Sequence, residues 1–211
     1  MKKIIVFGAT RGTGKLVVEQ ALLANYQVTA IIRNPEAFNF QNRNLKIIKG
    51  DVLNLASFKT ALKGNDAVVS CLGIPKIQET TLYSESMKNI VKAMKEVEVN
   101  RIICISSGAI TTPPNSSFIM SFLLKNVLQR LFKPIYSDMS LMEKTLSNSD
   151  LNWTVIGAPK LTNGKQTGKY RIITNQTLKK IPIISRADLA EFMLSKLDDK
   201  NTFKSRIEIA Y

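Results

Sequence analysis

Apolar residues fill the chain's opening, Ile4-Ile5-Val6-Phe7, and stop abruptly at Gly8. Glycines recur at 12 and 14, and a helix-period pattern then runs to about residue 25. A short unbroken apolar run, a glycine cluster and a helical period predict a strand, a tight turn and a helix. The same alternation repeats along the chain. Strands are predicted at residues 27–33, 45–48, 66–73, 101–105 and 152–156, with shorter ones at 169–173 and 206–209. Helices are predicted near 55–62, at 83–97 with Met87, Ile90, Val91 and Met94 on its core face, and at 118–132. Two more are expected at 137–147 (after Pro134) and at 185–197, the last with Ser185 as N-cap. Strands that are apolar almost throughout and alternate with helices argue for a parallel sheet covered on both faces. The expected architecture is therefore α/β: a Rossmann-type doubly wound parallel sheet in a single domain spanning residues 1–211.

Length and composition fit that picture. With 211 residues and 45% apolar content, the chain is long enough for one domain with a large core. No apolar run approaches the roughly 20 residues needed to cross a bilayer. Lys2-Lys3 leads into only a handful of apolar residues, so a secretory leader is not expected and a cytoplasmic setting is. Cys71 and Cys104 lie in strand-like apolar runs and read as buried, reduced thiols.

Histidine is absent, which removes the usual general base and the commonest metal ligand. Neither a catalytic triad nor a zinc site is expected. The formal net charge is +14, but Lys and Arg are scattered and no nucleic-acid motif accompanies them. Attraction to anions, including phosphorylated cofactors, is what that charge implies.

The glycine cluster sharpens the expectation. A turn between a strand and a helix start aims backbone N–H groups and the positive end of the helix at one point, which is an anion site. Gly8, Gly12 and Gly14 would serve sharp turning, close approach to a pyrophosphate and close helix–strand packing. Arg33 closes the second strand, where a dinucleotide's adenosine ribose lies. A basic residue there suits a 2′-phosphate, and Arg11 stands in the turn nearby, so NADP(H) is expected over NAD(H). Asp51 either caps the following helix or accepts from the adenine amino group. Gly8, Arg33, Asp51, Gly73 and Ser107 all fall at carboxyl ends of predicted strands, where ligands of such sheets bind. The apolar face of 118–132, flanked by Lys125, Gln129 and Arg130, suits core, a pocket wall or a docking surface.

These residues carry a family likeness. The Gly8–Gly14 turn, Ile32-Arg33-Asn34, Gly50-Asp51-Val52, Asp66-Ala67-Val68 and Asn89-Ile90-Val91-Lys92-Ala93-Met94-Lys95 resemble the atypical short-chain dehydrogenase/reductases. So do Trp153-Thr154-Val155, Thr167-Gly168-Lys169-Tyr170, Ile184-Ser185-Arg186-Ala187-Asp188-Leu189 and Tyr211. The likeness is to the NmrA-like NAD(P)H-binding group, and within it to the biliverdin-IX-beta reductases, also called NADPH-dependent flavin reductases. It implies that Thr10, Arg11, Gly12 and Thr13 hold the pyrophosphate, with Gly8 and Gly14 in the same cofactor-binding turn and Arg33 on the 2′-phosphate. Asp51 and Val52 would flank adenine, while Leu72, Gly73, Ser106, Ser107 and Pro159 would border the nicotinamide half. Substrate-side elements would lie around 108–136 and 157–185.

There are departures. The glycines follow Gly-x-x-x-Gly-x-Gly, and Lys160 stands where that reductase group carries histidine. The tyrosine–lysine pair, four residues apart, that lowers a phenol pKa in the main branch of the superfamily is missing: counting back from Lys144 gives Ser140. Hydride transfer to a conjugated acceptor such as a flavin, quinone or tetrapyrrole does not require that pair. Ser107 would then position the acceptor or the nicotinamide, and Lys160 would stabilise developing negative charge. The alternative is an NmrA-like NADP(H) sensor with little turnover. A small-molecule acceptor is the expected partner, with homo-oligomerisation left open, and neither a metal, a specific nucleic acid nor stable membrane insertion is expected.

Overall fold

The computed structural model describes residues 1–110, 129–178 and 183–211. Strands β1 (Lys3–Phe7), β2 (Gln27–Ile32), β3 (Leu45–Lys49), β4 (Ala67–Ser70), β5 (Arg101–Ser107) and β6 (Asn152–Ala158) pair in parallel. Strand β10 (Ser205–Ala210) adds in parallel to β6, and β8 (Arg171–Thr174) closes that edge antiparallel to β10. The eight-stranded order is β3-β2-β1-β4-β5-β6-β10-β8. It reverses direction between β1 and β4, and in such sheets ligands bind at that switch point, outside the strands' carboxyl edge.

Helices cover both faces, and β1 shows why. Ile4 and Val6 belong to one buried cluster with Val17, Val18 and Ala21 of α1 (Gly12–Leu23) and Leu189, Phe192 and Met193 of the last helix. Ile5 and Phe7 point the other way, onto Met87, Ile90 and Met94 of α2 (Leu82–Glu96) and Met142 and Leu146 of α3 (Lys133–Ser147). Successive side chains of a strand alternate faces, so a strand buried on both must be apolar throughout. The last helix, α4 (Arg186–Ser195), starts directly after Ser185, which caps it as expected.

Several expectations are corrected. Residues 55–62 form two 3-10 turns, Leu55–Ser57 and Lys59–Leu62, because Phe58 between them leaves helical geometry to bury its ring edge-on against Phe7. Pro134 lies inside the first turn of α3 rather than ahead of it, where its missing N–H costs nothing. β4 ends at Ser70; the Cys71 N–H still donates to the Phe7 carbonyl at 2.9 Å, and Leu72 and Gly73 lie beyond the strand. A two-stranded parallel pair, β7 (Lys160–Thr162) with β9 (Ile183–Ser185), was not expected. Most of the expected 118–132 helix lies outside the described residues; Gln129–Leu131 is a single helical turn. Cys71 and Cys104 are free thiols, and burial pushes Cys71 up to about 12.

Candidate functional site

The glycine turn carries out its expected geometry. Gly8 has φ +76°, and a Cβ there would lie 2.4 Å from the Cys71 carbonyl oxygen at the end of β4. A Cβ on Gly14 would lie 2.1 Å from the Gly8 carbonyl oxygen, so α1 abuts the end of β1 only because position 14 has no side chain. Gly12 has φ +56°, in the left-handed region. Thr10, Arg11 and Gly12 are exposed.

The start of α1 is left open. Arg11 is its N-cap residue in extended geometry and makes no side-chain capping bond, and the first turn holds no acid. Thr13 is 6% exposed, yet its hydroxyl has no hydrogen-bond partner. The starts of α2 and α4 are closed from within. Asp138 of α3 accepts from the Tyr83 and Ser84 N–H groups at the start of α2, at 2.8 and 3.2 Å. Helix amino ends leave donors that demand an acceptor. At α1, amides, the buried hydroxyl and Arg11 together fit an external anion.

The other expected cofactor residues lie along the same edge. Arg33 follows β2 and is exposed. Asp51 is half-buried after β3, and one carboxylate oxygen accepts from the Leu53 N–H at 3.0 Å, which makes a local turn rather than a helix cap. Val52 is buried, and its carbonyl accepts from the Asn89 side chain of α2. Leu72 is half-buried. Gly73 is exposed, and no atom lies within 4 Å of where its Cβ would stand, so that part of the edge is open. Pro159 is half-buried, and Lys160 is exposed at the start of β7.

At the end of β5 two adjacent serines have different surroundings. Ser106 is buried and donates to Glu143 of α3 at 2.5 Å. Ser107 is half-buried, accepts from the Ala109 N–H at 3.2 Å, and hydrogen-bonds to the phenol of Tyr136. Burial pushes the Tyr136 phenol above its ordinary value, against the pull of that hydrogen bond. Phe132 stacks on the ring at 5.5 Å between centroids. One turn further along α3, the Ser140 hydroxyl donates to the Tyr136 carbonyl at 2.8 Å, and no lysine occupies that place.

Beside this pair runs a network of charges in which Glu208 is buried and Arg206 and Glu143 are half-buried. Arg206 of β10 reaches across β6 and donates to the Ser107 carbonyl at 2.9 Å and to Glu208 at 2.6 Å, and its Nε lies 3.3 Å from Glu143. Glu208 also accepts from the Leu178 N–H at 2.7 Å. The guanidinium passes over Gly157, where a Cβ would stand 2.8 Å from its Nη2.

Sequence reasoning missed Tyr136. Its helical spacing, Tyr136-x-x-x-Ser140, lacks the lysine that marks such a tyrosine in a sequence. The Arg206 network left no sequence signal, since its members come from three separate elements.

A parallel sheet that reverses order at an uncapped, glycine-lined helix start defines a dinucleotide-binding Rossmann protein. The profile of the NAD(P)H-binding family matches residues 8–200, and the chain belongs to that family. It is 27% identical over 204 residues to the uncharacterized protein YwnB of Bacillus subtilis (strain 168), covering 93% of this chain and 92% of that one. It is 28% identical over 95 residues to the isoflavone reductase homolog IRL of Zea mays, covering 41% of this chain and 31% of that protein. Among solved structures, the oxidoreductase ylbE of Lactococcus lactis superposes with a TM-score of 0.80 at 21% identity, covering 99% of this chain and 90% of that one. The Streptococcus pneumoniae TIGR4 protein proposed to be an NADH-flavin reductase superposes with a TM-score of 0.82 at 24% identity, covering 100% and 99%. These structural likenesses support the fold. Among the described residues no helix is long and apolar enough to cross a membrane, and no group of three or more acidic or cysteine side chains could hold a metal.

Proposed function

We propose that the chain is an NADPH-dependent reductase that delivers hydride to a conjugated small-molecule acceptor such as a flavin, quinone or tetrapyrrole. A reduced nicotinamide bound at the sheet edge supplies the hydride. Thr10 to Gly14 hold its pyrophosphate, Arg33 takes the 2′-phosphate, Asp51 and Val52 flank the adenine, and Leu72, Gly73, Ser106 and Pro159 border the nicotinamide half. A cytoplasmic setting, where reduced nicotinamide is replenished, suits this reading.

The observation that carries the reading is the Ser107–Tyr136 pair. Burial raises the Tyr136 phenol, and Ser140 stands where a lysine would lower it, so the phenol holds its proton at neutral pH. A protonated phenol is a donor and not a base. That suits reduction, in which an acceptor that has gained hydride takes up a proton. Ser107 fixes the phenol's orientation, and Lys160 offers positive charge to an acidic substituent of the acceptor.

The test is steady-state oxidation of NADPH by FMN or a quinone, read as loss of the reduced-nicotinamide absorbance. Turnover well above a protein-free blank is expected, with Tyr136→Phe lowering kcat about a hundred-fold and Arg33→Ala weakening NADPH much more than NADH. Tight NADPH binding without oxidation by any acceptor would overturn the reductase reading and leave a cofactor sensor.

A further inference from the structure

Helices α1 and α4 pack side by side on one face of the sheet. α1 leads from β1 into its parallel neighbour β2, and α4 leads into β10, which runs parallel to β6. Both helices therefore run against the strands, and both amino ends stand at the carboxyl edge. Arg186, the first residue of α4, lays its side chain against the glycine turn. A Cβ on Gly12 would stand 3.5 Å from Arg186 Nε and 3.7 Å from its Cδ.

Its known partners are neutral. Nη1 donates to the Asn163 side-chain oxygen at 2.8 Å and lies 3.4 Å from the Leu161 carbonyl. Among the described residues no carboxylate forms an ion pair with it. A half-buried guanidinium thus lies beside a helix start that has no cap, no acid and, in Thr13, a buried hydroxyl without a partner. Cationic side chain, amides and orphaned hydroxyl all lack the same thing, an anion.

We infer that Arg186 is a ligand of the cofactor pyrophosphate, reaching it from the second helix while Arg11 reaches it from the turn. The inference rests on the cofactor reading above. It adds a role for α4 and for strand β7. Because Asn163 and Leu161 hold the guanidinium in place, the segment that begins at Lys160 is tied to the same group that grips the phosphates.

Calorimetric titration separates the possibilities, with NADPH, ADP-ribose and adenosine 2′-monophosphate as probes. Arg186→Met should lower affinity for NADPH and ADP-ribose roughly ten- to hundred-fold and leave adenosine 2′-monophosphate within about two-fold of wild type. Arg33→Ala should weaken NADPH and adenosine 2′-monophosphate while sparing ADP-ribose. Arg186→Lys keeps the charge and loses the planar fork, so its loss should be smaller; it carries the test if the methionine variant does not fold. Wild-type affinity for ADP-ribose in both Arg186 variants would overturn the inference while leaving the cofactor reading intact, and so would an equal loss of all three probes. Failure of the wild-type protein to bind NADPH or ADP-ribose would instead overturn the cofactor reading itself.

Discussion

Two helix starts lie next to each other at the carboxyl edge of the sheet, and they are finished in opposite ways. At α4, Ser185 accepts from the Asp188 N–H at 3.0 Å and donates to its carboxylate at 3.1 Å. The same fully buried carboxylate accepts from the Thr167 N–H, the Thr167 hydroxyl and the Gly168 N–H at 2.8–2.9 Å, and from the Tyr211 hydroxyl at 2.5 Å. The donors around that end converge on one internal acceptor, and a negative charge stands in the first turn where the helix dipole favours it. At α1 the equivalent positions hold an arginine and no acid. One end is neutralised by the chain itself. The other keeps its positive field and its unsatisfied groups, so a ligand can supply what Asp188 supplies next door.

Opening the closed end should have the largest effect. Asp188→Ala strands donors from Thr167, Gly168 and Tyr211, and should lower unfolding free energy by about 3 kcal/mol or more in urea titrations. The pH dependence follows from the same carboxylate. Burial alone would raise it, but the Tyr211 hydroxyl and the Gly168 and Thr167 donors outweigh burial and hold it at about 2, below the ordinary 3.8. An unfolded chain therefore binds the proton first. The carboxylate's contribution is complete above about pH 4 and drains away as pH falls through about 2. Acid titration of the urea midpoint should show a steeper loss in wild type than in Asp188→Ala across that window.

Ser185→Ala removes the cap and one of the donors to Asp188 and should cost about 1 kcal/mol, with NADPH affinity unchanged by calorimetry. Thr13→Ala should reverse that split. Removing a hydroxyl that has no partner leaves the stability of the ligand-free protein within about 0.5 kcal/mol, or raises it, while NADPH binds about ten-fold more weakly. A stability loss in Thr13→Ala with full affinity would erase the distinction between the two ends.

Much of this contrast was legible in the sequence, because it is written in local chemistry. Ile4 to Gly14 declare a strand, a turn and a helix start through side-chain volume and backbone freedom alone, and Ser185 three residues before Asp188 is a helix cap by spacing. Asp51 was read as a helix cap or an adenine acceptor; its local turn reflects Phe58, whose burial against Phe7 breaks the expected helix. Strands as short as Lys160–Thr162 carry too few residues to show a period. Tyr136 and Arg186 matter through the residues they meet, Ser107 and Gly12, and those meetings exist only after the sheet has closed.

Arg206 carries a different kind of consequence. Its guanidinium fills the volume that any side chain at position 157 would need, and it is also what grips the Ser107 carbonyl. Drift at either position is therefore conditional on the other. A methyl group gained on β6 would dislodge the arm from β10, and a shortened arm would leave a hollow beside an unanchored carbonyl. A change on β6 is thus felt at the end of β5, through the guanidinium that passes from one strand to the other.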